Sequence, residues 1–196
     1  MQHLEISANT INAFNKIDED WLYCVMFDNT CDKYEGIWDS CYLFNYLGCN
    51  YEFVVNEQGA RFMSSLVNDI KNFNEDEENS YFVVGAELNY IEDCEIKEHC
   101  DDLNFDNRRL RVFLPIYTES YESFIFIEGK EYPVEYGKPI LFDCTKPHSG
   151  DIDSKVWALI IDLLPKQIET SDILKYLVPP SLYYVNKMRE EQKQQE

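Results

Sequence analysis

The sequence predicts a mainly β fold with flanking helices: a sandwich or barrel, of which a jelly roll is one form. Three observations carry that expectation. From residue 80 onward, short apolar and aromatic stretches succeed one another, most of them at intervals of roughly 10 to 18 residues. The turn dipeptides Gly129-Lys130, Tyr136-Gly137 and Ser149-Gly150 fall between them. Helical periodicity is confined to one segment before this region and one after it.

In chain order, Trp21–Phe27 and Tyr51–Val55 read as strands from their aromatic and β-branched content. Arg61–Phe73 has apolar residues at 62, 63, 66, 67, 70 and 73, the spacing of an amphipathic helix. Asn74–Asn79 is a charged, solvated loop. Strands are then expected at Tyr81–Tyr90, Arg109–Ile116, Ser123–Glu128, Lys138–Phe142 and Val156–Leu163. Thr170-Ser-Asp-Ile173 opens a second helix through Leu177, and Pro179-Pro180 ends it. A length of 196 residues predicts one domain over 1–185, its site-bearing core about 80–165, followed by a polar tail over 186–196.

Composition narrows the function. There are 17 Lys and Arg against 37 Asp and Glu, a net charge of −20. That argues against a grip on phosphate backbones, which needs clustered cations, and against an anionic membrane surface. A basic protein, a peptide or a neutral small molecule is the easier partner. Apolar residues at 45% and aromatics at 15% are too many for a disordered acidic segment. The seven Cys are odd in number and none shows CxxC spacing. With a polar start and no apolar run long enough to span a bilayer, the expectation is a reducing, cytoplasmic setting with mostly packed thiols. The Asn-, Ile- and Tyr-rich bias is that of an AT-rich genome; for a virus, the setting is the host cytoplasm.

Three His occur: His3, His99 and His148. His3 is terminal and is set aside. In His99-Cys100-Asp101, an extended backbone turns residues i and i+2 to one side, so His99 and Asp101 converge while Cys100 points away. His148 follows the Lys138–Phe142 strand in Lys146-Pro-His-Ser-Gly150, where Pro147 sets the backbone and Ser149-Gly150 lets the chain turn. Two imidazoles and one carboxylate form the facial triad that binds non-haem Fe(II) and leaves coordination positions open. The plain alternative is that HxD lies in an exposed acidic turn, Glu98–Asp102. Arg109 and Arg111 share one face of their strand, while Leu110, Val112 and Leu114 take the other. They either anchor a carboxylate or offset acidic charge at the surface. Asp143 is expected to cap the turn before His148, and Asp162 to end the last strand. Trp157, Tyr81, Tyr90 and Tyr117 are expected in the core.

Several of these words occur together in a known family. Glu98-His-Cys-Asp101, Arg109-Leu-Arg-Val-Phe-Leu-Pro115 and Ile127–Tyr132 come first, followed by Tyr136-Gly-Lys-Pro-Ile-Leu-Phe-Asp143, Lys146-Pro-His-Ser-Gly150 and Val156–Asp162. The stretch from about Ile91 to Leu164 resembles the cupin-like double-stranded β-helix core of the Fe(II)/2-oxoglutarate-dependent oxygenases, in the aspartyl/asparaginyl β-hydroxylase branch. The resemblance implies an Fe(II) held by His99, Asp101 and His148, with 2-oxoglutarate as cosubstrate. It further implies hydroxylation of a protein or peptide side chain, such as Asp, Asn or Pro, or of a small molecule. That branch often lacks the carboxylate ligand, whereas Asp101 is present here. The family's basic residue on the strand after the second His is absent. Arg111, ahead of Arg109, is then the residue expected at the far carboxylate of 2-oxoglutarate. The alternative is a cupin-like metal-binding or interaction module without 2-oxoglutarate turnover.

Overall fold

The computed structural model describes residues 4–28, 32–45, 48–78, 80–101, 110–119 and 122–166. The expected second helix after Thr170, the polar tail and Arg109 lie outside them.

The chain opens with α1 (Ala8–Phe14) and α2 (Glu19–Val25) and continues through β1 (Phe27–Asp28), β2 (Tyr34–Asn45) and β3 (Gly48–Cys49). The helices α3 (Tyr51–Val55) and α4 (Glu57–Glu75) follow. Next come β4 (Tyr81–His99), β5 (Leu110–Thr118), β6 (Phe124–Ile127), β7 (Lys130–Pro133), β8 (Ile140–Asp143), β9 (His148–Ile152) and β10 (Val156–Pro165).

Two expected strands are helices. In α2, the Asp18 side chain accepts from the Trp21 N–H, Glu19 and Asp20 occupy the first turn, and Leu22 and Val25 are buried one turn apart. In α3, Asn50 caps the Glu52 N–H and Phe53 is buried. Both segments are too short for aromatic content to override a cap. The long α4 matches its apolar spacing, burying Phe62, Met63, Leu66 and Ile70 on one face. Asp69 on α4 ties down α1: its Oδ2 accepts from Ser7 Oγ at 3.0 Å and Thr10 Oγ1 at 2.6 Å. Ser149-Gly150 lies inside β9 rather than in a turn. Gly150 is there because strands approach closely: an added Cβ would lie 2.7 Å from Ile96 Cδ1 and 3.0 Å from Ile125 Cδ1.

All strand pairs are antiparallel. The described strands run in the order β7-β6-β9-β4-β10-β5-β8, with β2 on the other edge of β4. The strand β4 belongs to both halves of the roll. Residues 81–91 pair with β10, and residues 94–99 pair with β9. The handover falls at Asp93, whose φ of 44° is left-handed. Across from it, the β2–β4 register slips between Glu35 and Ile37, and Gly36 at φ +131° lies against the Asp93 carbonyl. Here a side chain is excluded by backbone, and Gly is the residue that fits.

Period-2 alternation separates two cores. On β10, Trp157, Leu159 and Ile161 join the outer core under the helices, with Phe62, Leu66 and Phe14. Val156, Ala158 and Ile160 join the inner core between the sheets, with Ile96, Ile152 and Phe142. The architecture is a mainly β, cupin-like double-stranded β-helix with flanking helices. No helix among the described residues is long and apolar enough to cross a membrane.

Candidate metal centre

His99 ends β4 and His148 begins β9, and the two are cross-strand partners. Their ring centroids are 4.3 Å apart. Asp101 lies just beyond β4. Its backbone N–H donates to the Cys144 carbonyl at 2.8 Å, tying it to the turn that carries His148. That turn is held by Asp143 Oδ1, which accepts from the Thr145 N–H at 3.0 Å and its hydroxyl at 2.6 Å. One ligating atom each from His99, Asp101 and His148 lies within 4.8 Å of the others. His99 Nε2 is 3.6 Å from Asp101 Oδ1, and His148 Nε2 is 4.0 Å from Oδ2.

The backbone selects the tautomer. His99 Nδ1 lies 2.7 Å from the Lys97 carbonyl, and His148 Nδ1 lies 2.9 Å from the Lys146 carbonyl. A carbonyl can only accept, so both Nδ1 atoms carry protons, and the tautomer this selects turns Nε2 of each ring toward Asp101 as the ligating atom. Burial lowers the pKa of His148, keeping that ring neutral. Burial pushes the Asp101 pKa up, but the His99 contact and the Arg111 guanidinium outweigh it and hold the carboxyl well below the usual range. Neutral imidazoles and an ionised carboxylate are the protonation states a divalent cation requires, so the donor set fits one.

Arg111 projects from β5 into the same space, on the face of Phe113, while Val112 is buried in the outer core. Its Nη1 donates to Asp101 Oδ2 at 2.5 Å, and its Nε donates to Asp162 Oδ1 at 3.2 Å. Burial disfavours the cation, but Asp162 and Asp101 raise its pKa further. Asp162 therefore does not end its strand. It sits inside β10 as the register partner of Arg111. The signal was present: residues 156, 158, 160 and 162 share one strand face, and the carboxylate interrupts an apolar series. Among the described residues on this face of β10 there is no base. Lys155 turns elsewhere, pairing with Glu19 and lying 5.8 Å from the rings of Tyr90 and Tyr117.

The triad and Arg111 border a cavity of about 170 Å³ between the sheets, closed by Phe113, Phe142 and Ile160. Sequence reasoning missed part of its wall: Tyr34, Trp38, Glu87 and Asn89. Tyr34 stacks on Trp38 at 4.3 Å, and the Trp38 indole N–H donates to Asn89 Oδ1 at 2.9 Å. Alternation along β4 could have found Glu87 and Asn89, since Leu88 and Tyr90 take the outer core. Nothing local could have found β2. Lys33, the residue before β2, brings its Nζ to 3.7 Å from Asp101 Oδ1. Cys144 is buried as expected, whereas Cys100 and Cys24 are exposed. Tyr90 and Trp157 are buried, while Tyr117 is exposed rather than in the core.

The fold has solved relatives. A prolyl hydroxylase from Trichoplax adhaerens, solved with a hypoxia inducible factor oxygen degradation domain peptide fragment, superposes with a TM-score of 0.55 at 12% identity, covering 82% of this chain and 80% of that one. A prolyl-4-hydroxylase from Pseudomonas putida gives a TM-score of 0.53 at 12% identity, covering 84% and 91%. A non-heme α-ketoglutarate-dependent epimerase of nogalamycin biosynthesis gives 0.52 at 10% identity, covering 81% and 74%. At such identities the likeness is one of fold. No curated protein sequence matches the chain. The profile of the aspartyl/asparaginyl β-hydroxylase family matches residues 7–160. With a match over well more than half its length, on a double-stranded β-helix that gathers two His and an Asp at one mouth, the chain belongs to the aspartyl/asparaginyl β-hydroxylase family.

Proposed function

We propose that the protein is an Fe(II)- and 2-oxoglutarate-dependent hydroxylase, with the iron held by His99, Asp101 and His148. The observation that carries this reading is the shared tautomer: both Nδ1 protons are committed to backbone carbonyls, so both Nε2 lone pairs face one ionised carboxylate. When bound, the iron and its cosubstrate would supply the oxygen-activating chemistry that inserts one oxygen atom into a C–H bond. The protein's own groups do the rest. Asp101 and the two rings orient and hold the ion. Arg111 spends Nε and Nη1 on Asp162 and Asp101, and its remaining N–H donors are offered to the far carboxylate of 2-oxoglutarate. Ile160, Phe113 and Phe142 exclude water from the cavity. The substrate is a protein or peptide side chain, or a small molecule. The peptide bound to the Trichoplax prolyl hydroxylase supports the first, and the net charge of −20 favours a basic target. We read residues 1–185 as a single domain acting in the cytoplasm.

The test is succinate formation from 2-oxoglutarate with Fe(II) and candidate peptides, comparing wild type with His99→Ala and His148→Ala. Succinate from wild type and none from either variant is expected. Equal traces from all three sink the proposal.

A second reading keeps the metal and drops the cosubstrate. It is favoured by the two carboxylates already on Arg111 and by the absence of a base on the inner face of β10 among the described residues. A cupin-like metal-binding module would then bind the cation without affinity for 2-oxoglutarate, which calorimetry distinguishes directly.

A further inference from the structure

We infer that Asp162 is a positioning residue that acts through Arg111 to hold Asp101 in the orientation a divalent cation needs. The inference rests on the metal-site reading above.

Asp101 is the one candidate ligand of the three that stands outside a strand. It lies beyond the end of β4, so strand geometry does not set its side chain, whereas His99 and His148 are locked by register and by their Nδ1 bonds. Its carboxylate is oriented instead by Arg111, whose Nη1 binds Oδ2, while Oδ1 faces His99 Nε2 at 3.6 Å and the half-exposed Lys33 Nζ at 3.7 Å. A single contact would leave the long guanidinium free to swing. Asp162 removes that freedom by taking Nε at 3.2 Å from the adjacent strand, in direct register. A planar fork held at Nε and at Nη1 has its plane fixed. The three side chains retain only 15–20% of their exposure, where an unmatched carboxylate in an otherwise apolar strand face would be expensive. Asp162 is therefore explained by the ligand it steadies two links away.

The test titrates Co²⁺ into the full chain by calorimetry without cosubstrate, with the cobalt d–d absorption as a second readout. Asp162→Asn should bind Co²⁺ about ten-fold more weakly and with an altered d–d band, as losses of groups that orient a ligand do. Asp162→Glu should recover most of the affinity. Arg111→Gln should weaken binding at least as much, and the double variant no further, because one residue acts through the other. Wild-type affinity in Asp162→Asn, or losses that simply add, overturns the inference. If Asp162→Asn does not fold, Arg111→Lys carries the test: it keeps the charge without the fork, so about ten-fold weaker binding supports the brace and unchanged binding refutes it. A wild type that binds no Co²⁺ overturns the metal-site reading itself, and the brace with it.

Discussion

Replacing Gly36 with Ala tests the bend that brings His99 to His148. The added Cβ would lie 2.1 Å from the Asp93 carbonyl oxygen and 2.6 Å from Cys94 Cα. Both are backbone atoms, so no side chain can swing aside. To reach even the 3.0 Å that real Cβ contacts rarely go below, β2 must retreat from β4 by on the order of 1 Å in a close-packed structure. Forced insertion of this kind costs about 1–3 kcal/mol. Alanine held at φ +131° adds about 1–3 kcal/mol of backbone strain. The two terms sum to about 2–6 kcal/mol, which for a chain of this size lowers Tm by about 5–20 °C. Thermal melts and urea titrations of Gly36→Ala beside Gly129→Ala measure it. Gly129 is also left-handed, at φ +75°, but an added Cβ there meets nothing within 4 Å. The control therefore isolates conformational strain of about 1–2 kcal/mol. A Gly36→Ala Tm equal to that of Gly129→Ala would refute the close-approach argument. Co²⁺ affinity should fall with Gly36→Ala and hold with Gly129→Ala, because only the first disturbs the handover from β10 to β9.

Two further outcomes follow from the packing. Phe62 is fully buried, 5.6 Å from Phe14 and 6.4 Å from Phe53 by ring centroid. Phe62→Ala should cost about 3–5 kcal/mol in urea unfolding, yet leave Co²⁺ affinity intact in the folded fraction, because it lies in the outer core. Burial pushes the Cys41 thiol up to about 11, so its thiolate is scarce at pH 8 and becomes abundant only as pH rises toward that value. Iodoacetamide at pH 8 followed by peptide mapping should modify exposed Cys24 and Cys100 quickly and buried Cys41, Cys94 and Cys144 only after denaturation. Rapid native labelling of Cys41 would contradict its burial.

Much of the second half of the chain was legible without coordinates. Alternation along Arg109–Ile116 and Val156–Leu163 named strands, and the Arg111 face was separable from the Val112 face by period alone. The apolar spacing of α4 was equally plain. The first 60 residues misled because Trp21–Phe27 and Tyr51–Val55 carry strand-like side chains, while their conformation is set by the caps Asp18 and Asn50 and by what Leu22 and Phe53 bury against. The hairpin strand β2 was unreadable because its pattern reflects a partner, β4, whose edge lies more than 40 residues downstream.

The sequence by itself determined which side chains share a strand face, because a two-residue repeat is a property of the extended backbone and needs no partner. That was enough to separate the Arg111 face from the Val112 face and to pick out His99, Asp101 and His148 as candidates, although Asp101 itself lies past the end of β4, held by Cys144 and Arg111. Whether the three meet depends on pairing between residues 49 or more positions apart, on a bend at Asp93 admitted only by Gly36, and on which carboxylates surround Arg111. Those are long-range distances, and tertiary structure decided them: it brought Trp38 from β2 to the cavity wall and set Asp162 against Arg111.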